Sequence, residues 1–336
     1  MAQPVITALL LIGVLALGSP TAAAPPWSPP RTSDGHPDLS GVWSNASQTR
    51  LTRAAGTALV VSKAQAEAVA QAVERGMDAD AAPTKDHDRP PPAVGAVSQG
   101  YNTFWVDSSG LASVKGQFRT SWIVDPADGQ LPLSEPGRQR VERDRVARRT
   151  DQAAGPEALM PWDRCLISSR GTGGPGMLNN LYNSNYQIVQ TPGAVAILVE
   201  MVHDVRTIPI FPDKAAAQAS HGPAALHPWL GDSVGWWEGD TLAVETVNVH
   251  PEQGRTGPIY LSPQGRVTER FTRVSPGQIF YEFAVEDPAY YSHPWRAEMS
   301  LNASKDQIYE FACHEGNYAM SGILGGARAA EHSGRE

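Results

Sequence analysis

The sequence predicts a mainly β protein, an antiparallel barrel or sandwich with one or two peripheral helices, and a lipocalin-like barrel is among the forms it allows. Short runs rich in aromatic and β-branched residues recur along the chain, separated by Pro, Gly and Asp turns. Helical segments are too few for strands to alternate with crossover helices, as a parallel α/β sheet requires. Thr191-Pro-Gly-Ala194 and Val274-Ser-Pro-Gly-Gln278 each lie between two such runs, the pattern of a hairpin.

From the N-terminus, an apolar run from Val5 to Gly18 followed by small residues reads as a secretory signal peptide over 1–23. That run is shorter than the roughly 20 residues a bilayer span needs, and no second run approaches that length. Residues 24–36 form an extended, proline-rich lead-in, and 37–330 read as one β-rich domain. Ser62 and Gln65 make a capping box for a helix over 62–76, ending at Gly76. Prolines and mixed charges over 77–99 indicate an exposed loop. Strands are expected at Asn102 to Asp107, Phe118 to Asp125, Tyr186 to Thr191, Ala194 to Val202 and Val205 to Ile210. Further ones are expected at Thr241 to Val247, Val267 to Arg273, Ile279 to Glu286 and Gln307 to Cys313. The arginines from Arg138 to Arg149 are interleaved with acids and read as the solvated face of a second helix. His227-Pro-Trp229 and His293-Pro-Trp295 form a weak internal echo, readable as two equivalent corners or as coincidence.

A formal charge of -8 and a pI near 5.6 argue against nucleic acid as a partner. The two cysteines, Cys165 and Cys313, are expected to pair once the chain reaches an oxidising compartment, periplasmic or secreted.

Several segments together resemble a large, mostly uncharacterised family of exported bacterial proteins. They include Pro37-Asp-Leu-Ser-Gly-Val-Trp43, Ile123-Val-Asp-Pro-Ala-Asp-Gly-Gln-Leu-Pro132 and Gly231-Asp-Ser-Val-Gly-Trp-Trp-Glu-Gly-Asp-Thr-Leu242. Asn183-Ser-Asn-Tyr-Gln-Ile-Val189, Glu200-Met-Val-His-Asp-Val-Arg206, Glu269-Arg-Phe-Thr-Arg273 and Ala312-Cys-His-Glu-Gly-Asn-Tyr318 complete the set. The resemblance runs in the same order over nearly the whole chain after the signal and implies a single-domain envelope protein. It assigns no activity, and the family usually carries an arginine at the position of Trp236.

Gly231-Asp-Ser233-Val-Gly235 matches a nucleophile elbow by spacing, but strand-like residues follow Ser233 where the elbow needs a helix, so a tight β-turn is the better reading. Gly171-Thr-Gly173-Gly-Pro-Gly176 has dinucleotide-fingerprint spacing without the preceding strand, and reads as a mobile glycine loop able to act as a lid. Glu200-x-x-His203 directs two ligands at one metal only on a helix. On the expected strand His203 shares an apolar face with Val195, Ile197, Val199 and Met201, as a core histidine or as a base lining a pocket. His314 and Glu315 leave the last expected strand at its rim, where imidazole and carboxylate suit acid/base work.

The leading expectation is a cofactor-independent acid/base enzyme (lyase, isomerase, cyclase or hydrolase) acting on a small, partly apolar or aromatic molecule. Catalytic candidates are His203, His314, Glu315 and Asp204; substrate-binding candidates are Asn183, Tyr186, Arg206 and Trp236. One alternative is a non-catalytic lipocalin-like carrier with an aromatic cup. Another is a metal-dependent hydrolase using His203, His314 and a carboxylate.

Overall fold

The computed structural model describes residues 27–81, 109–150, 153–180 and 182–334. The expected signal peptide, the strand at 102–107 and the loop from 82 onward lie outside those residues. Along the chain the strands are β1 (Gly41–Ser44), β2 (Val60–Val61), β3 (Ser113–Val114), β4 (Gln117–Arg119), β5 (Ile123–Asp125), β6 (Asn185–Thr191), β7 (Ala194–Val199), β8 (Val205–Phe211), β9 (Asp232–Glu238), β10 (Thr241–Val247), β11 (Arg266–Ser275), β12 (Gln278–Glu286) and β13 (Trp295–Ala303). The helices are α1 (Lys63–Ala81), α2 (Glu135–Thr150), α3 (Lys214–Ala219), α4 (Pro251–Gly254) and α5 (Ala319–His332).

Nine strands close into a barrel in the order β1, β6, β7, β8, β9, β10, β11, β12, β13 and back to β1. The short β1 is the keystone: Trp43 lies opposite Tyr186 of β6 on one side and Ala303 of β13 on the other. Closure leaves no free barrel edge to template aggregation. Both expected hairpins form, with Thr191 opposite Ala194 and Ser275 opposite Gln278. The barrel is mixed, because β8 and β9 run parallel. A parallel neighbour needs a crossover, and residues 212–231 supply it, carrying α3 over the outer wall of β9 and β10.

Period-2 alternation fills the interior. On β10, Leu242, Val244 and Thr246 face inward, while Ala243 packs outward with Val234, Trp236 and Ala217 of α3. Phe271 stacks on Tyr281 at 4.7 Å between ring centroids, and Phe283 meets Trp295 edge-on at 5.6 Å. Fully burying each such ring contributes about 1.5–3 kcal/mol. Trp43 plugs the barrel near its seam, donating Nε1–H to the Leu39 carbonyl at 2.9 Å beneath the Arg273 guanidinium. Side chains thus occupy the space that a lipocalin-like cup would leave for a ligand.

Several expected elements differ. The capping box at Ser62 and Gln65 is present, but α1 runs past Gly76 to Ala81, because glycine only weakens a helix unless the next residues favour a turn. The single strand expected over 118–125 is split into β4 and β5. Residues 307–313 form no strand, β13 and α5 appear where none was expected, and α2 spans the arginine-rich segment as foreseen. The His-Pro-Trp echo is not structural: Trp295 is buried in the core, whereas Trp229 is partly exposed and stacks on His250 at 3.9 Å.

Candidate functional site

The chemistry-bearing segments converge at one end of the barrel, around a buried ion pair. Arg206 of β8 points inward and meets Glu269 of β11, with side chains 1% and 0% exposed. Arg206 donates from Nη1 to Glu269 Oε1 at 3.0 Å and from Nη2 to Oε2, and also reaches the Ser233 and Thr246 hydroxyls at 3.3 Å each. The Tyr281 hydroxyl donates to Glu269 Oε1 at 2.6 Å and the Gly176 amide at 3.3 Å. Burial alone would raise the pKa of Glu269, but the Arg206 charge and these hydrogen bonds outweigh it and hold the carboxyl below its usual range.

The Gly171–Gly176 segment is the barrel's plug, with residues 172–178 buried, and not the mobile lid expected. Its glycines allow the close approach. Gly174 sits at φ +90, and a Cβ there would lie 2.6 Å from Arg206 Nη1; Gly176 sits at φ +89, and a Cβ there would lie 2.4 Å from Ile259 Cδ1. Ser233, in the motif read as a turn, lies on β9 with its hydroxyl 2.8 Å from that of Thr246. It has neither the helix nor the exposure of a nucleophile elbow.

Outside the plug, strand β7 ends at Val199, earlier than the alternation implied. Residues 200–204 turn tightly, with Val202 and His203 at φ +63 and +56. His203 is therefore exposed, not on the apolar face. Its Nε2 accepts a hydrogen bond from the Phe311 amide at 3.0 Å, while Glu200 accepts from the Tyr309 amide at 3.2 Å and from Asn185 at 2.6 Å. Side chains of this turn thus hold the C-terminal segment where strand pairing was expected, and the Cys165–Cys313 disulfide clamps it further on. Asp204 accepts from the Ser168 amide at 2.7 Å; burial raises its pKa against that hydrogen bond.

Between these walls lies a groove with a volume of about 540 Å³. Trp162, Tyr182, Met201, Val202, Phe311 and Ile323 give it an apolar surface, and Asp163, Ser169 and Asn317 supply polar groups. Asp163 is exposed, yet neighbouring atoms desolvate its carboxyl enough to raise the pKa, against one hydrogen bond from the Met160 backbone. Backbone strain concentrates here: of the eight non-glycine residues with positive φ among those described, Val202 lines the groove, and Cys165, Arg170, Asn183 and His203 are each covalently bonded to a lining residue. Positive φ at a β-branched residue such as Val202 costs of order 1–3 kcal/mol and persists where the surroundings over-determine it, which is characteristic of binding sites.

The sequence-derived residues thus fall into three groups. His203 and Asn183 stand next in sequence to the groove-lining Val202 and Tyr182, Asp204 is bonded to the Ser168 amide, and His314 and Glu315 are exposed just beyond Cys313. Arg206 and Tyr186 are buried, the Tyr186 hydroxyl donating to the Thr172 carbonyl at 3.1 Å, so neither is open to a substrate. Trp236 sits on the opposite, outer wall against α3, its Nε1–H on Glu238 at 2.9 Å, and belongs to no shared site. Sequence reasoning missed Trp162, Asp163, Tyr182 and Phe311. The signal was in the cysteines: pairing Cys165 with Cys313 brings Trp162 and Asp163 against Phe311. Among the described residues no cluster of His, Cys, Asp and Glu assembles a metal site, and no helix is long and apolar enough to cross a membrane. No family model, curated protein or solved structure matches the chain.

Proposed function

We propose that this is an exported barrel protein that binds a small, partly apolar molecule in the groove between residues 159–169, the 200–204 turn and the disulfide-held C-terminal segment, in the periplasm or outside the cell. The groove carries this reading: its volume is about 540 Å³, its surface is aromatic and aliphatic, and its few polar groups converge, as in small-molecule sites generally. The disulfide supports an oxidising compartment. Unlike a lipocalin-like carrier, the protein would hold its ligand beside the barrel, whose interior is filled.

Binding of the neutral, polarity-sensitive dye Nile red tests the reading. Saturable fluorescence enhancement is expected in the oxidised protein. Its loss is expected on disulfide reduction and in Ile323→Asp, which charges an exposed groove position without touching the core. Enhancement that survives both changes would place the dye elsewhere and remove the support.

A catalytic second reading draws on one observation: His314 and Glu315 directly follow Cys313, a groove residue, and are exposed. Acid/base turnover on this arrangement requires His314, and an unchanged rate in His314→Ala would eliminate it. His203 is a poor base here, because its Nε2 already accepts the Phe311 amide.

A further inference from the structure

The charge pattern of the groove narrows the ligand, on the reading that the groove is a binding site. Among the described residues that line it, Asp163 is the one carboxylate and none is a cation. The neighbouring Arg164 is committed to Glu252 at 3.0 Å, and among the described residues no charged group pairs with Asp163. Trp162, Tyr182 and Phe311 present aromatic rings to the same cavity, with Met201 and Met320 as polarisable neighbours. Aromatic faces attract a cation through the ring quadrupole, and a lone, partly desolvated carboxylate does so by charge. The whole chain, at a formal charge of -8, also favours approach of cations.

From this the geometry points to an organic ammonium ion as the ligand class: a primary or substituted amine carrying an apolar or aromatic body, its nitrogen at Asp163 and its body on Trp162, Tyr182 and Phe311. An aliphatic or aromatic carboxylate of the same size meets the wrong charge, and a neutral analogue leaves Asp163 unpaired.

Isothermal titration of the oxidised mature protein with three probes of matched shape decides it: 2-phenylethylamine, 2-phenylethanol and 3-phenylpropanoate, at neutral pH and low salt. The amine is expected to bind roughly tenfold tighter than the alcohol, the combined effect of one partly exposed ion pair and one cation–π contact, with the propanoate weakest. Asp163→Asn is expected to cut the amine's advantage to the roughly threefold or less that the cation–π contact alone supplies, and to leave the alcohol's affinity unchanged. Equal affinities for all three, a preference for the propanoate, or an advantage that survives Asp163→Asn undiminished overturns the ammonium inference. If in that case the shared affinity is lost in Ile323→Asp, the groove still stands as the binding site. No binding by any probe, together with a failed dye titration, overturns the inference and the groove reading alike.

Discussion

Glu269→Gln isolates the charge that fixes the groove's end of the barrel. The substitution keeps the side chain's volume and one carbonyl acceptor but removes the negative charge opposite Arg206. The guanidinium, 1% exposed, is then left with the Ser233 and Thr246 hydroxyls. Removing one partner of a buried pair costs about 3–5 kcal/mol, since the other charge stays desolvated. The new amide also brings N–H donors among groups that are themselves donors, Arg206, Tyr281 and Gly176. One unsatisfied donor adds about 1–3 kcal/mol. The expected loss is therefore roughly 4–8 kcal/mol, a large part of the about 5–15 kcal/mol that holds a typical domain together. Urea unfolding followed by fluorescence of the nine tryptophans measures it. At a slope of about 3 kcal/mol per molar urea the midpoint falls by roughly 1–3 M. The pair also predicts acid sensitivity. A carboxyl held below its ordinary pKa stabilises the fold above the unfolded value, and that stability is lost as pH falls through the folded one, so wild type weakens below about pH 4 and Glu269→Gln lacks that component. A measured loss below about 1 kcal/mol would refute the reasoning, because it would mean that the guanidinium finds water or another partner.

Other outcomes follow from neighbouring groups. Cys165→Ser with Cys313→Ser opens a loop of 148 residues, for which chain entropy sets a ceiling of about 5 kcal/mol. The loss should fall short of that, with proteolysis appearing first after Ser304, whose amide bonds the Val42 carbonyl of β1 and beyond which the segment is held by side-chain acceptors and the disulfide; intact resistance there would count against the clamp. Asp204→Asn keeps an oxygen for the Ser168 amide. Because burial raises the Asp204 pKa, wild type should lose stability as pH rises from about 4 through the folded value, and the variant should show a flatter profile; identical profiles would contradict the assignment. His250 is held below its usual pKa by burial, with His227, Arg164 and Arg255 adding repulsion against the pull of Glu252, and its Nδ1 accepts the Glu252 amide at the start of α4. Stability should therefore drop as pH falls through about 6.5, and His250→Asn, which retains a capping acceptor, should remove that drop in thermal melts.

The barrel was legible where each strand carries its own period. Thr241–Val247, rich in β-branched and apolar residues and with a Glu-Gly-Asp turn before it, coincides with β10. The Pro-Gly turns of both hairpins set register locally, so they too could be read from a few residues. Strand β13 was missed because Arg296, Glu298 and Ser300 interrupt its apolar run, although Ala297, Met299 and Leu301 form a regular inward face. The parallel pairing of β8 and β9 depends on where a crossover lands, which no local pattern encodes. Helix α5 has no buried residue, so the burial pattern that reveals most helices is absent from it.

The site illustrates the same division more sharply. Period-2 reasoning carried His203 onto an apolar face by extending a strand four residues too far. The error lies at Val202, whose positive φ no propensity would assign to a β-branched residue. That strain is sustained by long-range partners: the Phe311 amide on His203, the Tyr309 amide on Glu200 and the Ser168 amide on Asp204. Each comes from a segment more than thirty residues away and is fixed only once the plug and the disulfide are in place. The histidine that looked most like a base therefore serves as a backbone acceptor, and the ionisable side chain that lines the groove beside it is Asp163. That residue stood beside a cysteine whose partner the sequence had already named, so the disulfide was the one long-range restraint from which the site could have been located.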